Sequence, residues 1–106
     1  MPDHLAVLAR FEADGLLRRE GNEYRTTRRW QTAMARAAFH LYGAGDPGDD
    51  LRTPIAYALL ELYGNELSDD EIATYVAVMA PVEAAELDPE IMLKRAHAHA
   101  SDNAHD

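Results

Sequence analysis

The chain has 106 residues, enough for one domain built around one core. Its 47% hydrophobic content argues against disorder, and with no cysteine it forms neither disulfides nor thiolate metal sites. A net charge of −9 opposes long-range attraction to nucleic acid, so any DNA contact must come from a local cluster of basic side chains.

Met1–Gly15 is interrupted by Asp3, Arg10, Glu12 and Asp14 and does not read as a signal peptide. It reads as a first helix, capped by Asp3, running to about Asp14 and stopped by Gly15. Leu5, Leu8 and Phe11 recur at three-residue intervals and predict its apolar face. Leu16–Glu20 and Glu23–Thr27 then read as short strands joined at Gly21-Asn22, residues that tolerate the positive φ of a tight hairpin turn. A two-residue turn pairs Arg19 with Tyr24 and Leu17 with Thr26, and opposes Glu20 to Glu23 and Arg18 to Arg25. A three-residue loop would set Arg19 against Glu23 instead, and the sequence leaves this register open.

Thr26 or Thr27 caps a long helix ending near Tyr42, with Gly43 beyond it. Trp30, Met34, Ala37, Ala38, Leu41 and Tyr42 form its expected core stripe. GAGDPGDD, residues 43–50, is a loop. Thr53-Pro54 marks a third helix, Thr as cap and Pro in the first turn, with Ile55, Ala58, Leu59 and Leu62 buried and Gly64-Asn65 at its end. Ser68-Asp69-Asp70-Glu71 is a capping box for a fourth helix that buries Ile72, Tyr75, Val76 and Met79. Pro81 is expected to break or restart it, with a short turn to Leu87. Asp88-Pro89 opens a last helix to about Ala100, and Ser101–Asp106 reads as a frayed tail. No apolar run approaches the roughly 20 residues of a membrane span. The expectation is a soluble cytoplasmic protein forming one domain over 1–106, mainly α with one β-hairpin (α+β). Within it, a helix–hairpin–helix unit (3–42) precedes a helical half (51–100).

Charge divides along the same line. Residues 1–42 carry seven arginines against five acids, whereas residues 43–106 carry three basic residues against fourteen acids. Five of the ten basic residues, Arg18, Arg19, Arg25, Arg28 and Arg29, lie between Gly15 and Trp30. With Leu8, Phe11, Gly15-Leu16-Leu17, Tyr24-Arg25-Thr26 and the helix after them, they make a pattern over residues 3–42. That pattern resembles the wing region of winged-helix transcription factors such as the MarR and ArsR families. In those families the helix before the first strand reads the major groove, and wing arginines touch phosphates or the minor groove. The resemblance implies a winged-helix-like fold. It also implies duplex DNA as a partner held by Arg18, Arg19, Arg25, Arg28 and Arg29, with Arg10 secondary, as phosphate clamps. The competing reading is a solvated arginine face paired with Glu20, Glu23 and the acidic half of the chain.

The remaining candidates carry less chemistry. His97 and His99 are two residues apart and fall on different sides of a helix, with His4, His40 and His105 elsewhere, so no zinc set converges. Asp46, Asp49 and Asp50 fail the calcium-loop pattern, because the sixth position from Asp46 is Leu51 and the twelfth is Tyr57; they read as turn formers and a helix cap. Glu83 and Glu86 sit three apart, with nothing to signal a pocket around them. The expectation is therefore no catalytic residue, no metal, no cofactor and no enzyme. Tyrosine is enriched at interfaces, and Tyr57, Tyr63 and Tyr75 are the expected contact residues of a homodimer made by the C-terminal helices. The function anticipated is a small regulatory or interaction protein acting through protein–protein contacts, the alternative being a DNA-binding regulator.

Overall fold

The computed structural model describes residues 4–43 and 50–86. Within them the chain forms α1 (His4–Ala13), an antiparallel hairpin of β1 (Leu17–Glu20) and β2 (Glu23–Thr26), α2 (Arg28–Tyr42), α3 (Arg52–Tyr63), a 3-10 turn (Gly64–Glu66) and α4 (Asp69–Glu86). This is the mainly helical architecture with one hairpin that the patterning implies. The expected cap Asp3, loop residues Asp46 and Asp49, the helix at 89–100, the tail and His97, His99 and His105 lie outside the described residues.

Local hydrogen bonding explains the first half of the chain. Gly15 adopts φ +74°, and the bonds Leu16 N–H to Phe11 O and Gly15 N–H to Glu12 O are the six-to-one and five-to-two pair of a Schellman stop. Phe11 and Leu16, the hydrophobic pair of that motif, are both buried. The hairpin takes the two-residue register, Leu17 with Thr26, Arg18 with Arg25, Arg19 with Tyr24 and Glu20 with Glu23. Gly21 has φ +62° and no non-glycine residue among those described has positive φ, so the turn has the sign pattern of type II′. The hairpin then closes onto its own entrance. Thr27 N–H bonds Leu16 O, the Thr27 hydroxyl bonds Gly15 O, and the same hydroxyl accepts from Trp30 N–H to cap α2.

Several sequence expectations change for physical reasons. In α1 the buried residues are Val7, Leu8 and Phe11, while Leu5 is 70% exposed, because the helix turns its core face toward Val7. Thr53 is not the cap of α3; it lies inside the helix. Asp50 instead accepts from the backbone N–H of Arg52 (3.1 Å) and the hydroxyl of Thr53 (2.8 Å), and Pro54 stays in the first turn. Pro81 does not end α4, which continues to Glu86. Pro81 and Ala77, whose carbonyl loses its helical donor, both face solvent, while Glu83 and Glu86 beyond the proline are buried against the hairpin and α2. The capping box forms in full, Ser68 N–H to the Glu71 carboxylate at 3.1 Å and Glu71 N–H to the Ser68 hydroxyl at 3.2 Å. The Ser68 backbone N–H first, and its hydroxyl second, hold the Glu71 carboxyl below its ordinary range.

The core gathers Phe11, Leu16, Leu17, Trp30, Ile55, Leu59 and Met79 between α1, the hairpin and the three following helices. The α2 stripe buries Trp30, Ala33, Met34, Ala37 and Ala38, but Leu41 and Tyr42 are 36% and 48% exposed, since the last turn carries Leu41 past the core and Tyr42 falls off the Trp30–Met34–Ala37 line. In α3 Leu62 is half-buried and Tyr63 takes its place in the core. Ile72 is likewise half-buried on α4.

Candidate interaction surface

The arginines gathered in sequence are mostly engaged, and Arg18 and Arg25 face each other across the hairpin. Arg18 pairs with Glu20 at 2.8 Å. Arg25, the least exposed of the group, meets Glu23 at 2.7 Å and Glu20 at 3.7 Å. Arg19 projects from the other face of the hairpin and donates to Gly21 O at 3.3 Å. Arg29 donates to Asp14 O at 2.7 Å, tying α2 to the end of α1. Arg28 is exposed on the first turn of α2 and makes no hydrogen bond or ion pair among the described residues.

Arg10 belongs to a different cluster. Its guanidinium lies over the rings of Tyr63 and Tyr75, 5.0 and 5.7 Å from their centroids, and donates to the Tyr75 hydroxyl at 3.0 Å. Asp14 (3.5 Å) and Glu66 (3.8 Å) complete its surroundings. The bond to Tyr75 heads the causes that hold the Arg10 proton more tightly than usual. Tyr63 donates to Asp14 at 2.6 Å, and burial, followed by that bond, pushes its phenol above the ordinary range. Tyr63 and Tyr75 are each 7% exposed and pack edge-to-face, so they stand in the core and leave little area for a partner. Tyr57, the third tyrosine expected at an interface, is half-buried and stacks on His40 with centroids 4.7 Å apart.

The paired carboxylates of α4 do structural work. Glu83 accepts from the buried indole N–H of Trp30, and Glu86 accepts from the backbone N–H of Thr26 at 2.9 Å. Each carboxylate thereby meets a donor that would otherwise be desolvated, which accounts for acids at 7% and 8% exposure on an otherwise apolar face. Their chemistry is that of a tether. Among the described residues no three His, Cys, Asp or Glu side chains converge as a metal site.

Exposed apolar side chains also occur on the outer side of the α2–α3 pair. Arg36 on α2 meets Glu61 on α3 at 3.0 Å, and His40 stacks on Tyr57 one turn along, so the helices run antiparallel with a groove between them that Leu60 also lines. Phe39, Tyr42 and Leu60 are 61%, 48% and 51% exposed. Phe39 and Leu60 were not singled out from the sequence, although Phe39 carries a readable signal: it falls off the Trp30–Met34–Ala37 stripe and must point elsewhere. Comparison with protein-family models, with curated proteins and with solved structures finds no match.

Proposed function

We propose that the chain is a small non-catalytic regulatory or interaction protein, wing-like in its α1–hairpin–α2 order, that works through protein–protein contacts on the outer face of α2 and α3. The observation that carries this reading is the exposure of Phe39 and Tyr42, three residues apart on α2, and of Leu60 on the adjacent α3. Single exposed apolar residues are ordinary, but aromatics clustered beside arginine have the composition of an interface centre. Rigid internal tethering of Glu83, Glu86 and the Arg10 cluster commits those polar groups to the fold. In-cell photo-crosslinking tests the reading. A photoreactive residue in place of Phe39 should capture protein, and the same residue in place of exposed Ala73 on α4 should not. Capture of nucleic acid alone, or equal yields at both sites, overturns it.

A second reading, contact with duplex DNA, is favoured by one observation, the unengaged Arg28 at the start of α2. Each phosphate contact adds about 0.9 to the slope of log affinity against log salt. Duplex binding at low salt that weakens in Arg18→Ala plus Arg28→Ala supports this reading, and binding unchanged in that variant removes it.

A further inference from the structure

We infer that the partner on the α2 face is a second copy of this chain, docked antiparallel about a twofold axis at Ala35. The inference rests on the reading of that face as a contact surface. Arg28, Thr32, Ala35, Phe39 and Tyr42 are all exposed and follow one another by four, three, four and three residues. That spacing places them on one stripe of α2, turned away from Trp30, Ala33, Met34 and Ala37 and bordering Ala38 at its Ala35–Tyr42 edge. Beside its core side, α2 therefore carries a second, exposed stripe on which Ala35, Phe39 and Tyr42 are the apolar positions.

The stripe is self-complementary when reversed. Arg28 and Tyr42 each lie seven residues from Ala35, Thr32 and Phe39 lie three and four away, and the residue at the centre is small. An antiparallel twofold crossing at Ala35 sets Arg28 of each copy on Tyr42 of the other, a cation on an aromatic face, and Thr32 beside Phe39. A small residue at the crossing point lets the axes approach to about 8 Å. Charge favours the same arrangement. α2 contains Arg28, Arg29 and Arg36 but no acid, so a parallel pairing would stack like charges. The antiparallel one separates the two Arg28 side chains by about 20 Å along the axis, beyond a Debye length of about 8 Å. Arg36, nearer the centre, is already neutralised by Glu61. One 15-residue helix with help from Leu60 supplies less than the roughly 800 Å² per partner of a standard interface, so the dimer is concentration-dependent.

Sedimentation of the purified full chain over a wide concentration range reads this directly. A reversible monomer–dimer equilibrium is expected. Phe39→Glu should weaken it by about tenfold or more with unchanged circular dichroism and melting temperature, since the side chain is exposed. Arg28→Glu and Tyr42→Arg should each weaken association, and the two together in one chain should restore it, a rescue that only the reversed register provides. Because the chain has no cysteine, Ala35→Cys gives a clean crosslink, and it should form a disulfide-linked dimer faster than Ala73→Cys. A chain that stays monomeric throughout overturns the inference, as does a dimer indifferent to Phe39→Glu. If the purified chain is monomeric while the photoreactive residue at Phe39 captures a different protein in cells, self-association fails and the contact surface stands. If neither association nor capture occurs, both fail.

Discussion

Gly15 and Glu83 illustrate how single residues fix this fold by different means. At Gly15 the constraint is conformational: φ is +74°, and an added Cβ would meet nothing nearer than Arg29 at 4.0 Å. Gly15→Ala should therefore destabilise by about 1 kcal/mol through backbone strain alone, read as a lower denaturation midpoint with an unchanged m-value. At Glu83 the constraint is a buried bond to the Trp30 indole. Glu83→Leu should cost about 1–3 kcal/mol by leaving that N–H unsatisfied, and Glu83→Gln, which keeps an acceptor, should cost less; urea denaturation of the pair separates the two. Gly15 was legible in the sequence because a helix stop depends on neighbours within five residues. Glu83 was not, because its partner is 53 residues away and an i, i+3 pair of acids looks the same on a solvated face.

The same division holds for elements. The hairpin, the Thr27 cap, the capping box at Ser68 and the Gly43 stop all rest on hydrogen bonds of short sequence separation, and the sequence announces each of them. Helix α4 shows where local chemistry is overruled. A proline inside a helix removes one backbone bond and disfavours the turn before it, yet α4 carries on because Glu83 and Glu86 are held by Trp30 and Thr26. Pro81→Ala should restore the bond to Ala77 O and stabilise the protein by about 1 kcal/mol or more, with slower amide exchange across residues 81–86 as the measurement. The candidate surface was half legible: the arginines were visible, but their internal pairing and the exposure of Phe39 and Leu60 depend on how α2 and α3 pack.

At the scale of the molecule, Arg10 links α1 to the end of α3, the 3-10 turn and α4 through Tyr63, Glu66 and Tyr75. Tyr63 carries the pH dependence of this junction. Its folded pKa lies above the unfolded value of 10.0, so the neutral phenol is favoured on folding. The stabilisation is fully present below pH 10 and is lost as pH rises from there toward the folded pKa. Alkaline unfolding followed by circular dichroism should show this fall. Tyr63→Phe should be less stable near neutrality, having lost the bond to Asp14, but should show a shallower alkaline decline. Junctions of this kind escape sequence reading because Arg10 and Tyr75 are 65 residues apart and neither sits in a motif.

The bond between Glu86 and Thr26 also guards the outer edge of the hairpin. In the two-residue register Leu17 and Thr26 are a non-hydrogen-bonded pair, so the Thr26 N–H points away from β1 toward the open border of the sheet. Such a border is a template on which a stray strand can grow into a fibre. Here its innermost donor is occupied by a carboxyl oxygen from α4, and an incoming strand would have to displace that bond before it could pair with Thr26.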